Sequence, residues 1–166
     1  MSQNEALEYK KSGNRNLNNN NFDQAVTDFT QAINLNPNDA EAYYGRGAVY
    51  YSIAVMRDDT SSLDRAIEDF NQALKLNPDF ADVYSARGRV YSGKREYDKA
   101  LEDYNHAIQL NPDDYDAYSG RGNAYIGKKE YDRGIKDLEI SLRINPNQSE
   151  TRQIIEMARM MLKMQT

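Results

Sequence analysis

The sequence predicts an all-α protein built from stacked pairs of helices. Asn-Pro pairs recur at intervals of 34 residues, at Asn77-Pro78, Asn111-Pro112 and Asn145-Pro146. Asn36-Pro37 precedes the first of these by 41 residues, which is one period plus seven. A repeat of this length is one supersecondary unit that cannot bury its apolar face alone, so successive units must stack and share a core.

Alignment on the prolines defines four repeats, and positions are counted from the first residue of each. The repeats cover residues 6–39, 40–80 with a seven-residue insertion, 81–114 and 115–148. Residues 149–166 follow as one apolar-striped helix. At 166 residues the chain is short enough for a single domain spanning 1–166.

Each repeat has the pattern of two helices, A and B. In the first B helix, apolar residues recur at spacings of three and four: Phe22, Ala25, Val26, Phe29, Ala32 and Ile33. Turns between A and B are predicted at 18–21, 57–62, 93–96 and 127–130. Proline ends each B helix, because it lacks the N–H group that would continue the helix and restricts the residue before it.

Small and large residues occupy fixed columns. Position eight is Gly13, Gly47, Gly88 and Gly122, and position twenty is Ala25, Ala66, Ala100 and Gly134. Position 24 is bulky, with Phe29, Phe70, Tyr104 and Leu138. A small residue opposite a large one lets two helix backbones approach closely, as a tightly packed pair requires.

These columns resemble the tetratricopeptide repeat (TPR) family, whose pattern places Gly, Tyr, Ala, Phe, Ala and Pro at these intervals. The resemblance covers nearly the whole chain. Departures are Asn16, where the other repeats have tyrosine, and Gly134, Leu138 and Ser141 in the last repeat. The resemblance implies a right-handed superhelical solenoid of four TPR helix pairs with a C-terminal capping helix, and a protein- or peptide-binding adaptor or scaffold that uses its concave groove.

The family's groove positions can be carried onto this chain. They give Lys10, Asn14, Tyr44, Ala48, Tyr51, Ser85, Arg89, Ser119 and Asn123. The two asparagine amides could hydrogen-bond an extended backbone, and Arg89 could hold a carboxylate through paired N–H groups. The alternatives are an ordinary solvated face and, for Tyr44 and Tyr51, packing against the insertion.

A chaperone-tail clamp known in the family is not predicted. Lys10 and Asn14 match its first-repeat residues, but Gly45, Asp82 and Ala86 replace the asparagine and the two cations that the clamp needs.

The alternative function is self-association as an assembly subunit. The insertion could lengthen both helices by a turn and project Ile53, Val55 and Met56, although a self-packed extension is equally compatible. In the C-terminal helix, Met157, Met160 and Met164 lie off the apolar stripe that Ile154, Ile155, Ala158, Met161 and Leu162 form. Methionine adapts to irregular partners; the alternative is a cap buried on a wide face.

The net charge of −5 has a largely structural interpretation. Asp28, Asp69, Asp103 and Asp137 are predicted to face Arg46, Arg87 and Arg121 across the helix pairs. Asn38, Asp79, Asp113 and Asn147 are expected to cap the following helices. An acidic chain is a poor match for nucleic acid, so another protein or a peptide is the expected partner, with a homo-oligomer as an option.

No enzyme, cofactor or metal site is expected. The chain has no cysteine and one histidine, His106, and no glycine-rich phosphate loop. No apolar run is long enough to cross a membrane, and the N-terminal residues do not resemble a signal peptide. The expected compartment is therefore the cytoplasm, with an exported protein that has lost its leader as the alternative.

Overall fold

A computed structural model of the chain describes residues 2–164. Within these residues the chain forms nine α-helices and no strand, which confirms the all-helical class. The helices are α1 (Ser2–Asn18), α2 (Phe22–Leu35), α3 (Ala40–Arg57), α4 (Ser61–Leu76), α5 (Ala81–Gly93), α6 (Tyr97–Leu110), α7 (Tyr115–Gly127), α8 (Tyr131–Ile144) and α9 (Ser149–Lys163). The four A–B turns fall where the sequence predicts them.

The helices form two compact units, Met1–Val83 and Tyr84–Thr166. In unit 1, α1 packs on α2, α3 packs on both α2 and α4, and the start of α5 follows. In unit 2, α7 packs on α6 and α8, and α9 packs on α8. Each A helix that follows a B helix in the same unit therefore packs on it, as stacked helix pairs require.

The Asn-Pro asparagines hold the turns between repeats. The side-chain oxygen of Asn36 accepts a hydrogen bond from the backbone N–H of Asn38, and Asn77, Asn111 and Asn145 make the same bond two residues on. Such Asx turns are a common way for asparagine to fix a tight turn. The predicted helix caps are wrong by one residue at three sites, because the residue before the helix is Asp39 for α3, Asp114 for α7 and Gln148 for α9. Asp39 and Asp114, rather than Asn38 and Asp113, accept from the first-turn N–H groups of α3 and α7.

The seven extra residues of the second repeat lengthen both of its helices. Helix α3 has 18 residues where α5 and α7 have 13, and α4 has 16 where α2, α6 and α8 have 14. The expectation that Ile53 projects from this extension is wrong. Its side chain is 8% exposed and packs with Phe22 and Val49, because the added turn of α3 reaches back over α2. Val55 and Met56 are exposed.

The predicted arginine–aspartate pairs are present in three repeats. Arg46 binds Asp69, Arg87 binds Asp103 and Arg121 binds Asp137, each through two N–H groups at 2.7–2.8 Å. The hydrogen bonds to Asp137 raise the pKa of Arg121 above its ordinary value, so the guanidinium stays charged. Its third nitrogen donates to Asn105 on the preceding B helix, so one side chain joins two repeats.

Candidate functional site

An open pocket of about 400 Å³ lies in unit 1 between the A helices α1 and α3. Lys10 and Asn14 line it from α1, and Tyr44 and Ala48 line it from α3. The ring of Tyr44 stands 5.2 Å from that of Phe80 and 6.1 Å from that of Phe70. These contacts are with the B helix and the turn after it, not with the insertion. Four of the predicted groove residues thus share one concave surface.

The charge of Lys10 is largely satisfied inside unit 1. Its Nζ lies 2.9 Å from Asp39 and 2.6 Å from Glu41. Burial alone would lower the pKa of Lys10, but the hydrogen bonds to Glu41 and Asp39 outweigh that effect and raise it. Asn14 is exposed and has no hydrogen-bond partner among residues 2–164. The pocket therefore offers a free amide rather than a free cation.

Unit 2 has a pocket at the equivalent repeat positions, about 550 Å³ in volume. Its walls are α5 and α7, and its lining includes Arg89, Ser119 and Asn123, which the sequence predicts, together with Asp116 and Tyr104. Arg89 and Asn123 are exposed, and neither has a hydrogen-bond or ion-pair partner in the described part of the chain. Unlike the pocket in unit 1, this one presents an unpaired guanidinium.

Two predicted groove residues lie outside these pockets. Ser85 is 6% exposed, and its hydroxyl donates to Asp114 at 2.8 Å, so it braces α5 against the start of α7 and is not available to a ligand. Tyr51 is half-buried on α3 and lines neither pocket. The family's groove positions identify one face of each A helix. Whether a residue on that face is accessible to a ligand depends on the neighbouring helix.

Sequence reasoning noted Gly45 only as a mismatch to the chaperone clamp and missed the packing role of the glycines at position six. A Cβ atom on Gly45 would stand 2.3 Å from the ring of Phe29, and one on Gly120 would stand 2.4 Å from the ring of Tyr104. Each glycine admits an aromatic ring that packs beneath the pocket. Gly45 and Gly120 occupy the same column in alternate repeats, and that two-repeat spacing was the available signal.

The methionines of α9 are on its surface. Met157, Met160 and Met164 are 49%, 61% and 82% exposed. The buried residues of α9 are Thr151, Ile155 and Ala158, and the last two belong to a cluster with Ile135 and Leu138 of α8. Met161, expected in the apolar stripe, is 44% exposed. A cap buried on a wide face is therefore excluded.

A profile of the family described as "TPR repeat" matches residues 13–53, 59–94 and 88–129, and one described as "Tetratricopeptide repeat" matches 115–148. With more than half of its residues matched, the chain belongs to the tetratricopeptide repeat family. Repeats of this kind form scaffolds for interaction with other proteins. No match is found among curated proteins.

Solved structures share the fold. The chain is 28% identical to the protein of a solved structure described as "Crystal structure of MamA". The TM-score is 0.72, over 87% of this chain and 81% of that one. For MamA residues 41 to the end from Desulfovibrio magneticus RS-1, the identity is 22% and the TM-score 0.81, over 96% and 86% of the two chains. For pilF of Pseudomonas aeruginosa, the identity is 21% and the TM-score 0.84, over 95% of this chain and 68% of that one.

Among residues 2–164, no helix combines the length and the apolar character that a bilayer span requires.

Proposed function

We propose that this protein is an adaptor that holds an extended segment of another protein against the A helices of its units. The observation that carries the proposal is the recurrence of one pocket at the same repeat positions in each unit. In both pockets, exposed polar side chains have no partner within residues 2–164: Asn14 in unit 1, and Arg89 and Asn123 in unit 2.

Amide and guanidinium groups suit a peptide ligand. Asparagine can donate to a backbone carbonyl and accept from a backbone N–H, as a neighbouring strand would. Arg89 can pair with a carboxylate through two N–H groups. The pocket walls are helices packed on an aromatic base, so the backbone that carries the polar groups is fixed before the ligand arrives, which reduces the entropy that binding must overcome.

Panning a phage-displayed library of random dodecapeptides on the whole protein tests the proposal. A retained peptide, added to ¹⁵N-labelled protein, should shift the amide signals of the pocket residues: Asn14, Tyr44 and Ala48, or Arg89, Ser119 and Asn123. Exposed B-helix residues such as Glu102 and Lys136 should not shift. No retained peptide, or shifts confined to the B helices, would contradict the adaptor function.

The second candidate is self-association, favoured by the exposed methionines of α9 and by exposed Val55 and Met56 on the lengthened α3. Ile53 is buried and does not belong to that surface. Light scattering coupled to size exclusion would show a mass above that of one chain for the wild type. Met157→Glu/Met160→Glu would return the mass to one chain if α9 is the interface, whereas Met56→Glu would do so if the extension is. A wild-type monomer at all concentrations would eliminate this candidate.

A further inference from the structure

Helix α9 occupies the place of a fifth A helix. It begins at Ser149, which is 34 residues after Tyr115 at the start of α7, and it packs on the preceding B helix as α7 does. Position three is buried in both helices, as Ala117 and Thr151, and so is position ten, as Ala124 and Ala158. The two helices therefore have the same rotation about their axes relative to the B helix beneath them.

That shared rotation fixes the direction of the methionines. Position nine is Arg89 in α5, Asn123 in α7 and Met157 in α9, and position twelve is Ser92, Ile126 and Met160 in the same order. Arg89, Ser92 and Asn123 line the pocket of unit 2. Met157 and Met160 hold the equivalent places one helix further along, and Met161 and Met164 continue the same stripe at spacings of three and four.

The side of α9 where a B helix would pack is different. Position eight is Gly88 in α5 and Gly122 in α7, where a Cβ atom would come within 3.1 Å of Tyr104 and 2.9 Å of Leu138. In α9 it is Glu156, which is exposed and paired with Arg159. That part of the side is charged, and Met157 lies in the groove register. Met160 lies at the border of the two sides, because Ile126, at position twelve of α7, has its Cγ1 atom 2.7 Å from where a Cβ atom of Gly134 in α8 would be.

Ile126 joins α7 to α9, because it packs against the buried cluster that contains Ile155 and Ala158 of α9. By repeat position, the exposed Met157 and Met160 follow the polar pocket of Arg89, Ser119 and Asn123 by one A helix. Asp116 is the acidic group in the pocket, so Arg89 leaves the lining without a net negative charge.

We propose that unit 2 recognises an extended peptide segment carrying an acidic residue and a large apolar residue, with the carboxylate at Arg89 and Asn123 and the apolar side chain on Met157 and Met160. This inference rests on the proposed adaptor function. Packed helices stand about 8–10 Å apart, and an extended chain advances about 3.3 Å per residue. The acidic and apolar residues should therefore be separated by roughly three residues if the carboxylate lies over α7, and by roughly six if it lies over α5.

Unbranched methionine is suited to this role, because its thioether side chain adjusts to apolar groups of different shape. The site would accept leucine, isoleucine, phenylalanine or methionine at the apolar position. The acidic position would be more selective, because a guanidinium holds a carboxylate through two parallel hydrogen bonds.

The test is to pan the random dodecapeptide library on the whole protein and on two variants. Wild type should enrich peptides with Asp or Glu three to six residues from a large apolar residue. Arg89→Gln should lose the acidic preference and keep the apolar one. Met157→Gln/Met160→Gln should keep the acidic preference and lose the apolar one, since glutamine has the length and helix propensity of methionine but not its apolar surface. Matched controls are Arg143→Gln and Leu110→Ser, exposed residues of unit 2 outside the proposed site, and both should select the wild-type motif.

Fluorescence anisotropy with one selected and labelled peptide then measures the affinity of each variant. The methionine-to-glutamine variant should bind it about tenfold more weakly. Replacing the apolar residue of the peptide by serine should weaken wild-type binding by a similar factor and leave binding to that variant unchanged, because the same contact is lost in either case.

The outcomes separate the two proposals. If peptides are retained but neither selection nor affinity responds to the methionine substitutions, this inference is wrong and the adaptor function stands. If no peptide is retained, both are wrong. If wild type is an oligomer that Met157→Gln/Met160→Gln dissolves, the occupant of the methionine surface is a second copy of the chain, which also overturns the inference.

Discussion

Asp28 shows how one residue of a repeated column adapts to its own surroundings. Its counterparts bind arginine, but position seven of the first repeat is Ser12. Ser12, Asn16 and Gln24 donate to the Asp28 carboxylate at 2.7–2.8 Å. Burial acts to raise the pKa of Asp28, yet these three hydrogen bonds together outweigh it and the pKa lies below its ordinary value. The departure of Asn16 from the tyrosine column thus has a hydrogen-bonding reason.

Asp28→Asn is expected to destabilise the protein at pH 7 by about 1–3 kcal/mol, because the amide cannot accept all three bonds. A lowered folded-state pKa means that the ionised form stabilises the fold above the unfolded-state pKa of about 3.9. That stabilisation is lost as the pH falls through the folded-state pKa. Urea unfolding of wild type and variant should therefore differ more at pH 7 than at pH 3. An equal difference at both pH values would contradict the assignment, and exposed Asp132→Asn is the control.

Lys129 has a left-handed backbone conformation, with φ of 64°, as do Asn20, Asp58 and Arg95 in the other A–B turns. This conformation costs most L-residues roughly 1–2 kcal/mol, and asparagine tolerates it better. Asn20 holds the same repeat position. Lys129→Asn should accordingly raise the free energy of unfolding by about 0.5 kcal/mol or more, measured by urea denaturation. Lys136→Asn, inside α8, should lower it by about 0.5 kcal/mol. Two changes of the same sign would refute the explanation.

At the scale of the element, an A helix inside a unit has two B-helix neighbours. In α3 and α7, one side packs on the preceding B helix, and another packs on the helix's own B helix through Gly47 against Phe70 or Gly122 against Leu138. Where position six is glycine, as in α3 and α7, the ring of the preceding B helix reaches the base of the pocket. The same close approach that stabilises the stack therefore shapes the proposed binding surface.

Gly45→Ala tests this coupling. Phe29, whose ring would meet the new Cβ atom, is 0% exposed and has no room to move, so overpacking should cost about 1–3 kcal/mol. Gly93→Ala is the matched control. Nothing lies within 4 Å of its Cβ position, and alanine is the better helix former by up to about 1 kcal/mol. Thermal unfolding should give opposite shifts in Tm, and equal shifts would disprove the role of the Phe29 contact.

At the scale of the whole molecule, repetition creates two units with equivalent pockets, and the exceptions to repetition distinguish them. Unit 1 has the lengthened α3 and α4 and a lysine satisfied by Asp39 and Glu41. In unit 2, Arg89 has no partner among residues 2–164, and the added helix α9 covers Ile135 and Leu138 of α8. In α9, one side stabilises the core and another is exposed.

Ile155→Glu and Met157→Glu should separate these two sides of α9. Ile155 is 4% exposed and belongs to the cluster on α8, so a carboxylate there should cost about 3 kcal/mol or more. At Met157, which is 49% exposed, the same change should stay within about 0.5 kcal/mol. The comparison is made by urea unfolding. A large loss of stability at Met157 would mean that its side chain belongs to the core and not to a binding surface.

The sequence alone determined the helical class, the helix pairs, their turns and the three arginine–aspartate pairs. All of these recur at a fixed spacing, and a contact within one repeat leaves the same residues at the same positions of most other repeats. The sequence also identified most residues that line the pockets. The residues that depart from the repeat were harder to interpret, because they occur in one repeat only and cannot be compared with the same position of another.

Only the tertiary structure decided which of those residues are accessible. Ser85 shares a column with Ser119 but is buried against Asp114. Lys10 is held by Asp39 and Glu41, whereas Arg89 has no such partner in the described part of the chain. Ile53 lies in an insertion that looked exposed, yet it packs on α2. In each case the deciding neighbour comes from another helix, so its effect depends on how the helices pack and not on any spacing along the chain.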